Sequence, residues 1–98
     1  MDYEYAVERK HHTAHGGRYF IRLPDGSEAE LNYRHLDPRT IIAEHTGVPP
    51  QYRNHGIALQ LVEAVIADAR TEGFRIVPQC AYVAAQFRRH PGWSDLRA

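Results

Sequence analysis

At Pro49-Pro50 the hydrophobic period of this chain changes, and that change limits what it can fold into. Before the break, Ala29, Leu31 and Tyr33 alternate with Glu28, Glu30, Asn32 and Arg34. A period of two predicts a half-exposed antiparallel strand. After the break, Ala58, Leu61, Val62, Val65 and Ala69 fall on one face at helical spacing. Proline donates no backbone hydrogen bond, so the pair ends one ladder before the helix begins.

Other segments extend the pattern. Tyr3 to Arg9 alternates large apolar and charged residues and predicts an edge strand. His11 to Gly17 is polar, ends in Gly-Gly and predicts a turn. Arg18 to Leu23 is rich in strand formers, and Pro24-Asp25-Gly26-Ser27 predicts a hairpin into Glu28–Arg34. Asp37-Pro38-Arg39 turns the chain into a strand over Thr40–Val48, with Ile41, Ile42 and Val48 as its apolar members. The helix from Gly56 ends at Gly73, the glycine expected after a last turn. Phe74–Val77 follows as a short strand closed by Pro78. Ala81–His90 reads as a second helix with Val83, Ala84 and Phe87 inward, and Pro91-Gly92 stops it. Trp93 is expected to pack the C-terminal end onto the core. Four antiparallel strands, helix, strand, helix make an α+β domain with helices against a mostly antiparallel sheet.

The 98 residues suffice for one domain, 1–98, with one modest core. The formal net charge is zero, which argues against a protein devoted to duplex nucleic acid. Cys80 is the sole cysteine, so no intrachain disulfide forms, and a cytoplasmic setting is expected. The acidic start, Asp2 to Glu4, lacks the apolar run of a signal peptide. The helix from Gly56 carries Gln60, Glu63, Asp68 and Arg70 and is too polar to span a bilayer. His11, His12 and His15 match no zinc spacing, so a solvated turn is expected and no metal.

The chemistry concentrates in Thr46 to Ala58. A strand end, a Pro-Pro break and Arg53-Asn54-His55-Gly56-Ile57-Ala58 open directly into a helix. The free N–H groups of a helix start suit an anion, and glycine allows its close approach.

With those parts in order, the chain resembles the GNAT-fold N-acetyltransferases, in particular their short single-domain YjdJ-like branch. The superfamily pattern Q/R-x-x-G-x-G/A stands here as Arg53 to Ala58. The short branch adds His45-Thr46-Gly47-Val48-Pro49, Pro78-Gln79-Cys80 and His90-Pro91, so the resemblance covers roughly 5–96. It implies a GNAT-like sheet of about five strands with two main helices, and acetyl-CoA as co-substrate. The pyrophosphate would rest on Asn54, His55, Gly56, Ile57 and Ala58, with Arg53 adding charge. The pantetheine arm would run along Thr46, Gly47 and Val48.

Acetyl transfer needs a base and a way to stabilise the leaving thiolate. His45 is a candidate base on the strand beside the thioester end, since imidazole titrates near neutral pH. Glu44 should face the other way by the period-two rule, unless a bulge intervenes. Cys80 is the second catalytic candidate, near the thioester or as an acetyl carrier. Larger members of the superfamily use a tyrosine on the last helix as general acid. The short branch often has an aromatic where this chain has Gln86, which cannot serve, and Tyr82 lies one turn earlier.

The resemblance therefore implies an acetyl-CoA-dependent N-acetyltransferase acting on an amine, either a small molecule or a protein lysine or N-terminus. Its alternative is a CoA-binding module with little turnover. The chain is short for the superfamily, and the early helices and late strands that usually build the acceptor site are expected to be missing. No nucleic-acid or membrane partner is expected, and the oligomeric state stays open.

Overall fold

The computed structural model describes residues 4–13 and 15–98, with backbone alone at 11–13. Five strands form one sheet in sequence order: β1 (Glu8–Thr13), β2 (Gly16–Arg22), β3 (Glu28–Asp37), β4 (Thr40–Gly47) and β5 (Arg75–Pro78). The first four pair antiparallel, and β5 runs parallel to β4. Helix α1 (Ile57–Glu72) crosses between β4 and β5, and α2 (Ala81–Arg89) follows β5. Short 3-10 helices at Pro50–Tyr52 and Pro91–Leu96 complete the order.

The alternation in β3 places Ala29, Leu31 and Tyr33 in the core. Tyr19 and Ile21 of β2 and Ile41 and Ala43 of β4 join them. Against this face α1 buries Ile57, Leu61, Val62, Val65, Ile66 and Ala69, and α2 buries Val83 and Phe87. Both helices therefore cover one side of the sheet. Phe20 and Ile42 point to the other side, outside the core cluster, yet each is only 5% exposed. The Arg18 guanidinium lies 4.5 Å over the Phe20 ring, so arginine stems take the place of a helix there.

The ends of α1 follow from glycine. Gly56 precedes it at φ 74° and Gly73 follows it at φ 80°, both left-handed. Trp93 packs against the core, edge-on to Phe87 and stacked on His90 at 3.9 Å.

Three expectations need correction. The first strand lies at Glu8–Thr13, not Tyr3–Arg9, and Tyr3 is outside the described residues. The Tyr5 N–H donates to Gln60 Oε1 of α1 at 2.9 Å, and Tyr5 and Val7 pack on the core. Their alternation reflects packing on the core, not sheet pairing. The turn expected over His11–Gly17 is correspondingly shorter, because both its ends belong to strands. Gln86 is 5% exposed, so α2 buries a polar side chain where its sequence suggests only apolar ones, and Ala84 is half-buried.

A network around Arg9 ties β1 to α1. Its guanidinium bonds Asp68 at 2.9 Å and also meets Glu72, while the Tyr19 hydroxyl donates to Asp68 at 2.9 Å. No helix among the described residues is long and apolar enough to cross a membrane.

Candidate functional site

β4 and β5 pair only from Thr40–Arg75 to Ala43–Pro78. Pro78 has no N–H to extend the ladder. The Cys80 N–H then donates to the Ala43 carbonyl at 2.9 Å, and the chain leaves into α2. β4 continues past this point without β5, so His45, Thr46 and Gly47 have β3 on one side and, among the described residues, no strand on the other.

A groove of about 520 Å³ opens along this free edge. His45, Thr46 and Gly47 of β4, with Val48 just beyond it, form one wall, Tyr52, Arg53 and Asn54 a second, and Gly56, Ile57 and Ala58 the floor. Tyr82 of α2 also lines it. Of the stretch Thr46–Val48 and Arg53–Ala58, only His55 does not line this groove. Tyr52 and Tyr82 line it without having been marked as ligand contacts in sequence. Their aromatic character was the available signal.

The start of α1 has the properties an anion requires. No side chain caps it and no acidic residue occupies its first turn. The positive end of the helix dipole therefore faces the groove uncompensated. Two left-handed residues, Asn54 at φ 66° and Gly56 at φ 74°, set the turn that exposes those N–H groups. Arg53 lies at the mouth, its Nε donating to the Val48 carbonyl at 3.3 Å. That contact bridges the two walls and leaves the terminal guanidinium nitrogens for another acceptor.

Cys80 stands behind the β4 wall. Its Sγ is 3.6 Å from Thr46 Oγ1. Burial pushes the thiol up, but the N–H groups of Val83 and Tyr82 and the Thr46 hydroxyl more than offset it. The thiol therefore sits below its ordinary value, as expected of a sulfur held at a helix start. For Tyr82, burial pushes the hydroxyl up, and Arg89 and Gln86 only partly oppose this.

The structure does not pair the two catalytic candidates. Thr46 lies opposite the core residue Leu31, and His45 lies opposite Asn32, which points away from the core. Cys80 meets Thr46 on the helix side of β4, while His45 is exposed on the other side. The His11, His12 and His15 reading falls largely on side chains outside the described set. Among the described residues no cluster of three metal-ligating side chains exists.

A family model for GCN5-related N-acetyl-transferases matches residues 18–96. A solution NMR structure of a GCN5-like protein from Staphylococcus aureus has the same fold at a TM-score of 0.70. It is 24% identical, and the likeness covers 93% of this chain and 87% of that one. No curated protein matches the chain.

Proposed function

The chain belongs to the family of GCN5-related N-acetyl-transferases, and we propose that it binds acetyl-CoA in this groove and passes the acetyl group to a primary amine. The observation that carries the reading is the uncapped, acid-free start of α1 opening onto the unpaired end of β4. A ligand with a phosphate at one end and an amide-bearing arm fits that sequence of surfaces. The phosphates rest on the N–H groups of Gly56, Ile57 and Ala58, with Arg53 alongside. The arm takes backbone hydrogen bonds from Thr46, Gly47 and Val48. This puts the thioester where β4 and β5 part, near Cys80.

Direct transfer to the amine is the simpler course. The Cys80 sulfur turns toward Thr46 and does not line the groove, so an acetyl carrier role would need it to move. His45, exposed on the far side of β4, takes a proton from the acceptor amine. Gln86 cannot act as an acid, and Tyr82 is the nearest phenol to the groove.

A second reading, a CoA-binding module with little turnover, draws on the uncovered second face of the sheet. No helix among the described residues closes an acceptor pocket there. Two measurements separate the readings. Thermal-shift titration with CoA and acetyl-CoA tests binding, and absence of a shift at millimolar ligand overturns both readings. CoA release in the presence of amines and peptides tests transfer, and binding without release selects the module.

A further inference from the structure

The ladder between β3 and β4 takes in an extra residue twice. Near the groove the extra residue is on β4: Ala43 pairs with Tyr33 and His45 with Asn32, and Glu44 has no rung of its own. This bulge sets Glu44 beside His45 on the outer face, where Arg34 Nε donates to Glu44 Oε2 at 2.9 Å. At the other end of the ladder the extra residue is on β3. His35 pairs with Ile41 and Asp37 with Thr40, so Leu36 has no rung. A bulge re-aims a side chain, and here it leaves Leu36 57% exposed, the one large hydrophobic so exposed among the described residues.

A lone exposed leucine is unremarkable by itself. Its surroundings give this one a meaning. A second cavity, of about 110 Å³, opens beside the same hairpin. Tyr33, Pro38, Ile41 and Phe74 supply apolar and aromatic walls. The charged members, Arg9 and Glu72, are already bonded to each other, so an entering group owes them no hydrogen bond. A dry cavity of roughly 150 Å³ holds a benzene ring, so this smaller one suits an aliphatic side chain. Leu36 is not in its lining, although His35 and Pro38 on either side of Leu36 and Asp37 are.

Two charges flank the knob. The Asp37 carboxylate accepts the Arg39 N–H on Oδ1 at 2.8 Å, and Oδ2 has no partner among the described residues. The Arg39 guanidinium has no hydrogen-bonding or ionic partner among them either, and it lies against Gly73, next to Phe74 of the cavity. One knob, one hole, one free cation and one free anion thus share a single hairpin.

We propose that this hairpin is the contact between two copies of the chain. Leu36 of each copy enters the other's cavity, and Asp37 of each meets Arg39 of the other. A two-fold contact needs both complementary halves on one patch, and this patch carries both. The formal net charge of zero puts no long-range repulsion between the copies. A hairpin tip is a small surface, so the dimer belongs to the weak, transient class. β4 runs from this hairpin at Thr40 to the groove at Gly47, so both grooves stay open at the outer ends of the pair.

The test uses the whole chain at low salt. Sedimentation velocity and amide NMR spectra are followed from micromolar to millimolar protein. Expected is a monomer–dimer equilibrium, with concentration-dependent shifts centred on residues 35–39 and 72–74, weakened by added salt. Leu36→Ser should weaken association about tenfold or more, the loss expected on truncating a buried leucine. Because Leu36 is exposed in the single copy, Tm of the dilute protein should not fall. Asp37→Arg makes both flanking charges positive, and Arg39→Asp makes both negative. Each variant alone should stay monomeric, and an equimolar mixture of the two should associate again. Structural damage in either variant does not produce that recovery. A chain that stays monomeric at millimolar concentration overturns the proposal. So does association indifferent to Leu36→Ser, shifts centred on another surface, or a mixture that associates no better than its components.

Discussion

The Cys80 N–H donates to the carbonyl of Ala43 at 2.9 Å, directly beyond the rung that joins Ala43 to Pro78. This bond marks the parting of the two parallel strands. Thr46, three residues further along β4, then meets the Cys80 sulfur across the gap. The thiol is held by a hydroxyl from one strand and by N–H groups at the start of α2.

That arrangement predicts the reactivity of Cys80. Thr46→Val keeps the side chain's shape and removes the hydroxyl, so the thiol should rise toward its ordinary value. Alkylation by iodoacetamide followed against pH should show the Thr46→Val profile displaced to higher pH, with slower reaction at pH 7. An unchanged profile means the helix N–H groups hold the thiolate without Thr46.

At Gly56 the backbone is left-handed and opens onto the groove. Gly56→Glu adds a side chain at that φ, costing about 1–2 kcal/mol of stability. It also sets a carboxylate where the proposed ligand's phosphates would rest. The expected outcome is a modest fall in Tm of the free protein and complete loss of the CoA-induced shift. A retained shift places the pyrophosphate elsewhere.

Tyr19 should make the fold sensitive to alkali. Burial and then the bond to Asp68 push its hydroxyl well above the usual tyrosine range. The folded chain keeps a proton that the unfolded chain loses near pH 10, so this stabilisation is complete below about pH 10 and declines as pH rises further. Tyr33 and Tyr82 shift in the same direction. Tyr19→Phe should cost roughly 1–2 kcal/mol at pH 8 through the lost hydrogen bond, towards the lower figure because Asp68 is partly exposed. It should also flatten the decline in Tm between pH 9.5 and 11.5. An equally steep decline assigns the effect to other groups.

The hairpin tip carries an acid-side counterpart. The Ser27 hydroxyl, the Ser27 N–H and the Gln51 amide hold Asp25 down to about 2. A depressed carboxylate contributes stability above its unfolded value and loses it as pH falls through the folded one, here from about pH 4 to pH 2. Because Gln51 Nε2 reaches Asp25 Oδ2 at 2.9 Å, the hairpin also braces the turn that leads into the groove. Asp25→Ala should weaken the dependence of Tm on pH over that window. A carboxyl NMR titration of Asp25 with an ordinary midpoint contradicts the assignment.

Much of the fold was legible because its signals are local. The period-two run Glu28–Arg34 needed only its own alternation to become β3 with Ala29, Leu31 and Tyr33 inward. The period of 3.6 after Pro49-Pro50 and the glycines at 56 and 73 bounded α1 to within a residue. The same locality misled at Tyr5 and Val7, whose alternation is satisfied by packing on the core rather than by a neighbouring strand.

The sequence by itself determined the order of elements, the inward faces and the stretch Thr46–Ala58 as a strand end running into a helix start. These depend on backbone preferences and burial periods within a few residues of one another. Only the tertiary structure decided that Glu44 and His45 share the outer face, that Cys80 meets Thr46 and not His45, and that Gln86 is buried. Each of those turns on how one strand or helix registers against another. A single extra residue in a ladder reverses every face assignment beyond it, and no periodicity along the chain records where that residue falls.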